Sequence, residues 1–126
     1  MRLLLDTGIL HDWRMGAMAD TEAVRSIRQA GTWVSAVSIW EMAIQQGLGK
    51  LPFPSRQIVA DVGAQGFGWL NITPGHAQAV LDLVAHHQDP FDRLLIAQAR
   101  CEGMRMVTHD RLFRDYLPDT ILVRAG

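Results

Sequence analysis

Cysteine is almost absent from this chain. Cys101 is the single one in 126 residues, which excludes an internal disulfide and a cysteine-ligated zinc site. Lysine is as scarce, with Lys50 alone against eleven arginines. Neither sign of charge dominates. The formal net charge of −1 gives no global basic field, which counts mildly against a protein that coats nucleic acid. It does not exclude an enzyme that grips a short nucleic-acid segment locally, a task for which arginine is the better bidentate phosphate ligand. Long apolar runs are missing too. Leu3-Leu4-Leu5 is cut by Asp6, too soon for a signal peptide or a membrane span, so a cytoplasmic protein with no membrane association is expected. Repeats, linkers and low-complexity stretches are likewise absent, and residues 1–126 read as one domain.

What is present is a soluble globular composition, 48% hydrophobic and 20% charged. Short apolar runs alternate with helical patterns. Leu3–Leu5, Thr32–Ser35, Trp69–Ile72, Arg105–Thr108 and Thr120–Val123 are the strand segments. Between them, helices are expected over Ile9–Trp13 and after the Asp20 cap as far as Gly31. The next opens at Ser35–Ser38 and stops at Gly47 and Gly49, with Pro52 and Pro54 beyond. Further helices are expected over 55–66 through Ile58, Val59 and Val62, and after Thr73-Pro74 through Ala77, Val80, Leu81 and Val84. A short last helix carries Arg111, Arg114 and Tyr116. The alternation predicts an α/β fold whose central parallel sheet, of about five strands, is covered on both faces. In such sheets the functional sites lie beyond the carboxyl ends of the strands.

The most informative stretch is Asp89-Pro90-Phe91-Asp92-Arg93. Asp89 suits the N-cap of a helix, Pro90 its first position and Asp92 the third, where a carboxylate meets the helix dipole. The helix runs to about Glu102, with Gly103 just past its end. Asp92 shares a line with Leu95, Ile96 and Ala99, so it heads an inward face, where an acid needs a partner. Three further acids are expected at the same place. Asp6 follows the first strand, Asp110 follows the fourth, and Glu41 lies one turn into the helix after the second, among Trp40, Met42, Ala43 and Ile44.

Each acid has a plain structural explanation. Asp6, Asp89 and Asp110 could cap helices, and Ser38-Ile39-Trp40-Glu41 fits a capping box. Taken together these explanations are less persuasive, because a buried cluster of carboxylates repels itself. Unless it is neutralised, the cost approaches the whole stability margin of a small domain. All-oxygen ligation, without cysteine or paired-histidine spacing, points to Mg²⁺ or Mn²⁺. A hard cation beside carboxylates is the apparatus of phosphodiester hydrolysis by an activated water.

Four stretches together resemble a known family: Leu4-Leu5-Asp6-Thr7, Ser35–Ala43, Asp89–Ala99 and Val107-Thr108-His109-Asp110. The chain resembles a PIN domain and, more narrowly, the VapC-type ribonuclease toxins of bacterial toxin–antitoxin pairs. The resemblance spans Arg2 to Val123. It implies a PIN-like three-layer α/β/α fold and a Mg²⁺- or Mn²⁺-dependent endoribonuclease acting on an RNA substrate. It carries the metal-site acids onto Asp6, Glu41, Asp92 and Asp110, and it makes Thr108 a supporting donor. A homodimer and a cognate antitoxin, whose C-terminal segment blocks the site, are implied as partners. The chain departs from the family pattern at Gly8, where His or Asn is common, and at Gln45, where Lys is common.

Secondary candidates at the site are Thr7, beside Asp6, and Arg93, which could touch a phosphate or pair with an acid. Arg111 and Arg114 could guide an RNA backbone or form a solvated helix face. His86 and His87 before the motif, and His109 beside Asp110, could shuttle a proton, but a histidine pair at a helix end reads more readily as solvated surface. Trp33, Trp40 and Trp69 fall in core segments, and Cys101 reads as a small core filler. Two other readings compete. A Mg²⁺-binding phospho-receiver-like domain has similar length, but Asp6 lacks an acidic neighbour and the only lysine lies mid-chain. A PIN-fold binding protein without activity is the other.

Overall fold

The computed structural model describes residues 1–49 and 55–125. Pro52 and Pro54, expected beyond the end of the third helix, and Lys50 lie outside the described residues. In chain order the elements are β1 (Arg2–Leu5), α1 (Thr7–Arg14), α2 (Thr21–Gln29), β2 (Gly31–Ser35), α3 (Ala36–Gly47), α4 (Ile58–Ala64), β3 (Gly68–Leu70), α5 (Pro74–Ala79), α6 (Pro90–Glu102), β4 (Arg105–Thr108) and β5 (Ile121–Leu122). Single 3₁₀ turns cover Ser55–Gln57, Val80–Asp82 and Arg111–Asp115.

All strand pairings are parallel, in the order β3-β2-β1-β4-β5. The chain reverses its direction of travel across the sheet between β1 and β4, which makes their carboxyl ends the switch point where ligands bind in open α/β sheets. This order also differs from the 2-1-3-4-5 order of receiver domains and removes that reading on topology. Period-two alternation divides the core. Leu3, Leu5, Val34 and Val107 pack with Ile9, Leu10, Ala23, Ile27, Ile58 and Val62 on one face. Leu4 and Met106 pack with Leu95, Ile96, Ala99 and Phe113 on the other. Helices therefore cover both faces, and the three-layer α/β/α architecture expected from the sequence is the one observed.

Local signals account for the helix that matters most. Asp89 caps α6 by accepting from the Phe91 and Asp92 amides at 2.8 and 3.2 Å, and Pro90 opens it. Gly103 closes it at φ 63°, a conformation that glycine adopts without steric cost.

Several expectations are corrected. The helix expected to run to Val84 ends at Ala79, and Leu81 and Val84 are exposed. A 3₁₀ turn over Val80–Asp82 follows it, with the Leu83 amide donating to the Val80 carbonyl at 3.2 Å, and the carbonyls of Val80, Leu83 and Val84 accept from the Arg93 guanidinium. The helix expected over 55–66 is a 3₁₀ turn followed by the short α4, with Val59 facing solvent. β3 begins at Gly68 and ends at Leu70, ahead of the expected Ile72. Gly68 pairs with Trp33, and a Cβ there would come within 2.7 Å of the indole, so the close approach requires glycine. Cys101 is exposed, not a core filler. Trp40 is 58% exposed and packs its ring edge-on against Phe91 at 5.0 Å. Trp33 and Trp69, by contrast, are partly buried and pack against the core, as expected of their strands.

Candidate metal centre

Two strand ends form the floor of the site. Asp6 leaves β1 and Asp110 follows β4, and Thr108 joins them across the switch point. Its hydroxyl donates to Asp6 Oδ2 at 2.6 Å and accepts from the Asp110 amide at 3.0 Å. Asp6 Oδ1 also takes the Thr7 amide at 2.7 Å, and Asp110 Oδ1 takes the Leu112 amide at 2.9 Å. Both acids are therefore caps, but each spends only one oxygen on that task. Helices α3 and α6 form the walls. They are tied together at the buried Ser35, which caps α3 through the Val37 amide (3.1 Å) and donates to Gln98 Oε1 of α6 at 2.6 Å. Because Ser35 is the cap, the expected Ser38–Glu41 capping box does not form. Glu41 is left inside the helix, facing the acids.

A cavity of about 370 Å³ is lined by Asp6, Glu41 and Asp92, with Gln45, His11 and His109 among its other walls. Wider clefts exist elsewhere, but they do not gather acids in this way. Burial raises the pKa of Asp6 and of Glu41 above the ordinary carboxylate range, and neighbouring carboxylates add to the effect. Asp92 is strongly displaced too. Burial first, then the charges of Asp6, Asp89, Glu41 and Asp110, push it to about 8. Among the described residues, Glu41 Oε1 is buried with no hydrogen-bond partner within bonding distance, Oε2 receives a long 3.4 Å contact from Gln45, and the Thr7 hydroxyl faces the carboxylate. An orphaned buried carboxylate oxygen amid mutually repelling acids is the signature of a site that a hard divalent cation would complete, and the residues present fit one.

His87 stands among these acids, although its place in the sequence reads as surface. Its Nε2 lies 2.8 Å from Asp92 Oδ2 and 3.1 Å from Asp110 Oδ2, and its side chain is only 13% exposed. The three residues bring their ligand atoms within 4.8 Å of one another. The reading as solvated surface holds for His86, which is exposed, and fails for His87. The available signal was position: a side chain two residues before an N-cap can fold back over the first turn of the helix. His109 is also engaged. Its Nδ1 meets the Val123 carbonyl and its Nε2 meets Asp12, both at 2.9 Å. Burial opposes its charge, but those two contacts outweigh burial and raise its pKa.

The remaining candidates divide. Thr7 is buried, 2.9 Å from Ser38 Oγ, with its hydroxyl also facing the Glu41 carboxylate. Arg93 does not line the cleft. Its guanidinium is committed to carbonyls of the 80–87 segment, including His87 at 3.0 Å. Arg111 is exposed beside Asp110. Arg114 faces a different cleft, at the β5 edge, and contacts the Thr120 carbonyl at 3.5 Å.

A parallel α/β/α sheet with an acidic pocket at its switch point defines the class of protein. The family follows from comparison. The PIN domain family model matches residues 3–116, and the chain belongs to that family. Its fold is similar to that of VapBC2 from Rickettsia felis, solved bound to a promoter DNA fragment, with TM-score 0.70, 16% identity and 97% of each chain covered. It is similar to a toxin–antitoxin complex from Klebsiella pneumoniae, with TM-score 0.68, 17% identity and coverage of 98% of this chain and 99% of that one. DNA-bound VapBC from Salmonella typhimurium is a third such structure, with TM-score 0.65, 18% identity and coverage of 97% and 96%. No curated protein matches by sequence.

Proposed function

We propose that this chain is a Mg²⁺- or Mn²⁺-dependent endoribonuclease, the VapC-type toxin of a toxin–antitoxin pair. It hydrolyses RNA phosphodiester bonds through Asp6, Glu41, Asp92 and Asp110. The observation that carries the reading is the convergence of these four acids, from four separate elements, with Asp92 pushed to about 8 and Glu41 Oε1 unpartnered among the described residues. Caps alone do not account for it, because capping satisfies one oxygen of Asp6 and one of Asp110 and none of Glu41.

Asp6, Asp92 and Asp110 would hold the cation, with Glu41 completing the set or orienting the attacking water. The bound ion supplies charge neutralisation at the phosphate and a lowered pKa for water. Thr108 keeps Asp6 aimed by donating to it. Water attacks phosphorus in line, the bond to the 3′ oxygen breaks, and that oxygen takes up a proton. The products carry 5′-phosphate and 3′-hydroxyl ends. End-group analysis of cleaved RNA tests this route. A 2′,3′-cyclic phosphate would contradict it, because that product requires attack by the ribose 2′-hydroxyl.

The toxin–antitoxin complexes among the structural neighbours support an antitoxin partner, and the family resemblance supports a homodimer. No helix among the described residues is long and apolar enough to cross a membrane, which is consistent with action in the cytoplasm.

A further inference from the structure

His87 is held more firmly than a histidine that merely borders a cleft. Its amide donates to Tyr116 Oη at 2.8 Å, and that hydroxyl donates in turn to the Val84 carbonyl at 2.6 Å. Its carbonyl accepts from Arg93 at 3.0 Å, and the same guanidinium gathers Leu83 and Val84. Its ring stands edge-on to Phe113 at 6.0 Å. Backbone and ring are thus fixed from α6, from the last 3₁₀ turn and from its own segment. Rigid support of this kind is what a ligating side chain needs. The Nε2 separations of 2.8 and 3.1 Å from the two carboxylate oxygens match those of adjacent ligands around an octahedral ion with bonds of about 2.1 Å, whose edges are about 3.0 Å.

We propose that His87 Nε2 is a nitrogen ligand of the cation held by Asp92 and Asp110, so that the site has a mixed nitrogen–oxygen donor set and prefers Mn²⁺ to Mg²⁺. The proposal rests on the metal-dependent reading above and adds to it the identity of one ligand and the direction of ion selectivity. Imidazole binds first-row transition ions well, whereas Mg²⁺ favours oxygen and gives up its waters reluctantly. Ligation at Nε2 places the ring proton on Nδ1. The contact this disturbs, from the Asp89 amide to Nδ1, is long at 3.4 Å and costs little to lose. If that contact instead held the proton on Nε2, the ring would donate to the two carboxylates and stay outside the donor set.

Pulsed EPR separates the two arrangements on the wild-type protein, so that no variant has to fold. Mn²⁺ is added to metal-free protein grown with natural-abundance or ¹⁵N-labelled histidine, and electron spin-echo modulation is recorded. The expected result is modulation from one directly bound imidazole nitrogen that changes with the isotope. In parallel, Mn²⁺ and Mg²⁺ affinities are measured by titration calorimetry for wild type and His87→Gln. Mn²⁺ affinity falls roughly tenfold or more, and Mg²⁺ affinity changes by less than about threefold. Bound Mn²⁺ without nitrogen modulation, or an equal loss for both ions, overturns the proposal and leaves the carboxylate reading standing. Absence of binding by either ion to wild type overturns both.

Discussion

Replacing Asp92 by Asn should stabilise the metal-free protein in alkaline solution, a gain that depends on the burial and the repulsion that together oppose the Asp92 charge. In the folded chain the Asp92 carboxyl is pushed from 3.8 to about 8, by burial and then by four neighbouring carboxylates. An acid with a raised folded pKa binds its proton more tightly in the folded state than in the unfolded one. The associated stability is complete below about pH 4 and is lost as pH rises through about 8. At about 1.4 kcal/mol per tenfold change in proton affinity, the upper bound is roughly 6 kcal/mol. The side chain is 16% exposed, and water and local relaxation screen it, so about 2 kcal/mol is the expected effect. Asparagine resembles the protonated acid and does not titrate. In thermal unfolding followed by circular dichroism with chelator present, the wild-type Tm should fall by about 6–10 °C between pH 5 and pH 9. The Asp92→Asn variant should lose much less. Adding Mn²⁺ should reverse the order. An ion at a hundredfold its Kd adds about 2.7 kcal/mol to the wild type, and little to a variant that has lost a ligand. Equal pH dependence of the two proteins in chelator would refute the electrostatic reasoning.

Other perturbations probe the supports of the site. Gly68→Ala forces a methyl group onto the Trp33 indole at 2.7 Å and should cost about 1–3 kcal/mol in denaturant unfolding, without touching the acids. Arg93→Ala releases the carbonyls of Val80, Leu83, Val84 and His87, and hydrogen exchange should accelerate across residues 80–89 while the strand amides stay protected. Thr108→Val removes the donor to Asp6 Oδ2. It should lower the rate of RNA cleavage about tenfold or more, measured under single-turnover conditions.

What was legible in advance was what short-range chemistry decides. Asp89, Pro90 and Gly103 mark the ends of α6 because capping and handedness are settled within a few residues. Asp6 and Asp110 could be placed at one edge because a parallel sheet sends every strand end the same way. Glu41 stood out as an acid in an apolar helix, although its expected capping box yields to Ser35. The rest depends on contacts between distant segments. The segment after α5 is gathered by Arg93, thirteen residues beyond Val80, a contact that local periodicity does not announce. Burial of His87 depends on Tyr116 and Phe113, which reach it from beyond β4. The exposures of Trp40 and Cys101 follow from which side of α3 and α6 the sheet leaves uncovered, a choice that apolar periodicity on mostly hydrophobic helices leaves open.

Incubating purified protein with single-stranded RNA, in Mn²⁺ or Mg²⁺ and in excess chelator, tests the account most directly when Asp92→Asn is run alongside. Cleavage by the wild type only when a divalent ion is supplied, and loss of at least about a hundredfold in the variant, is the predicted result. Full cleavage in chelator, or a variant as active as the wild type, would contradict it.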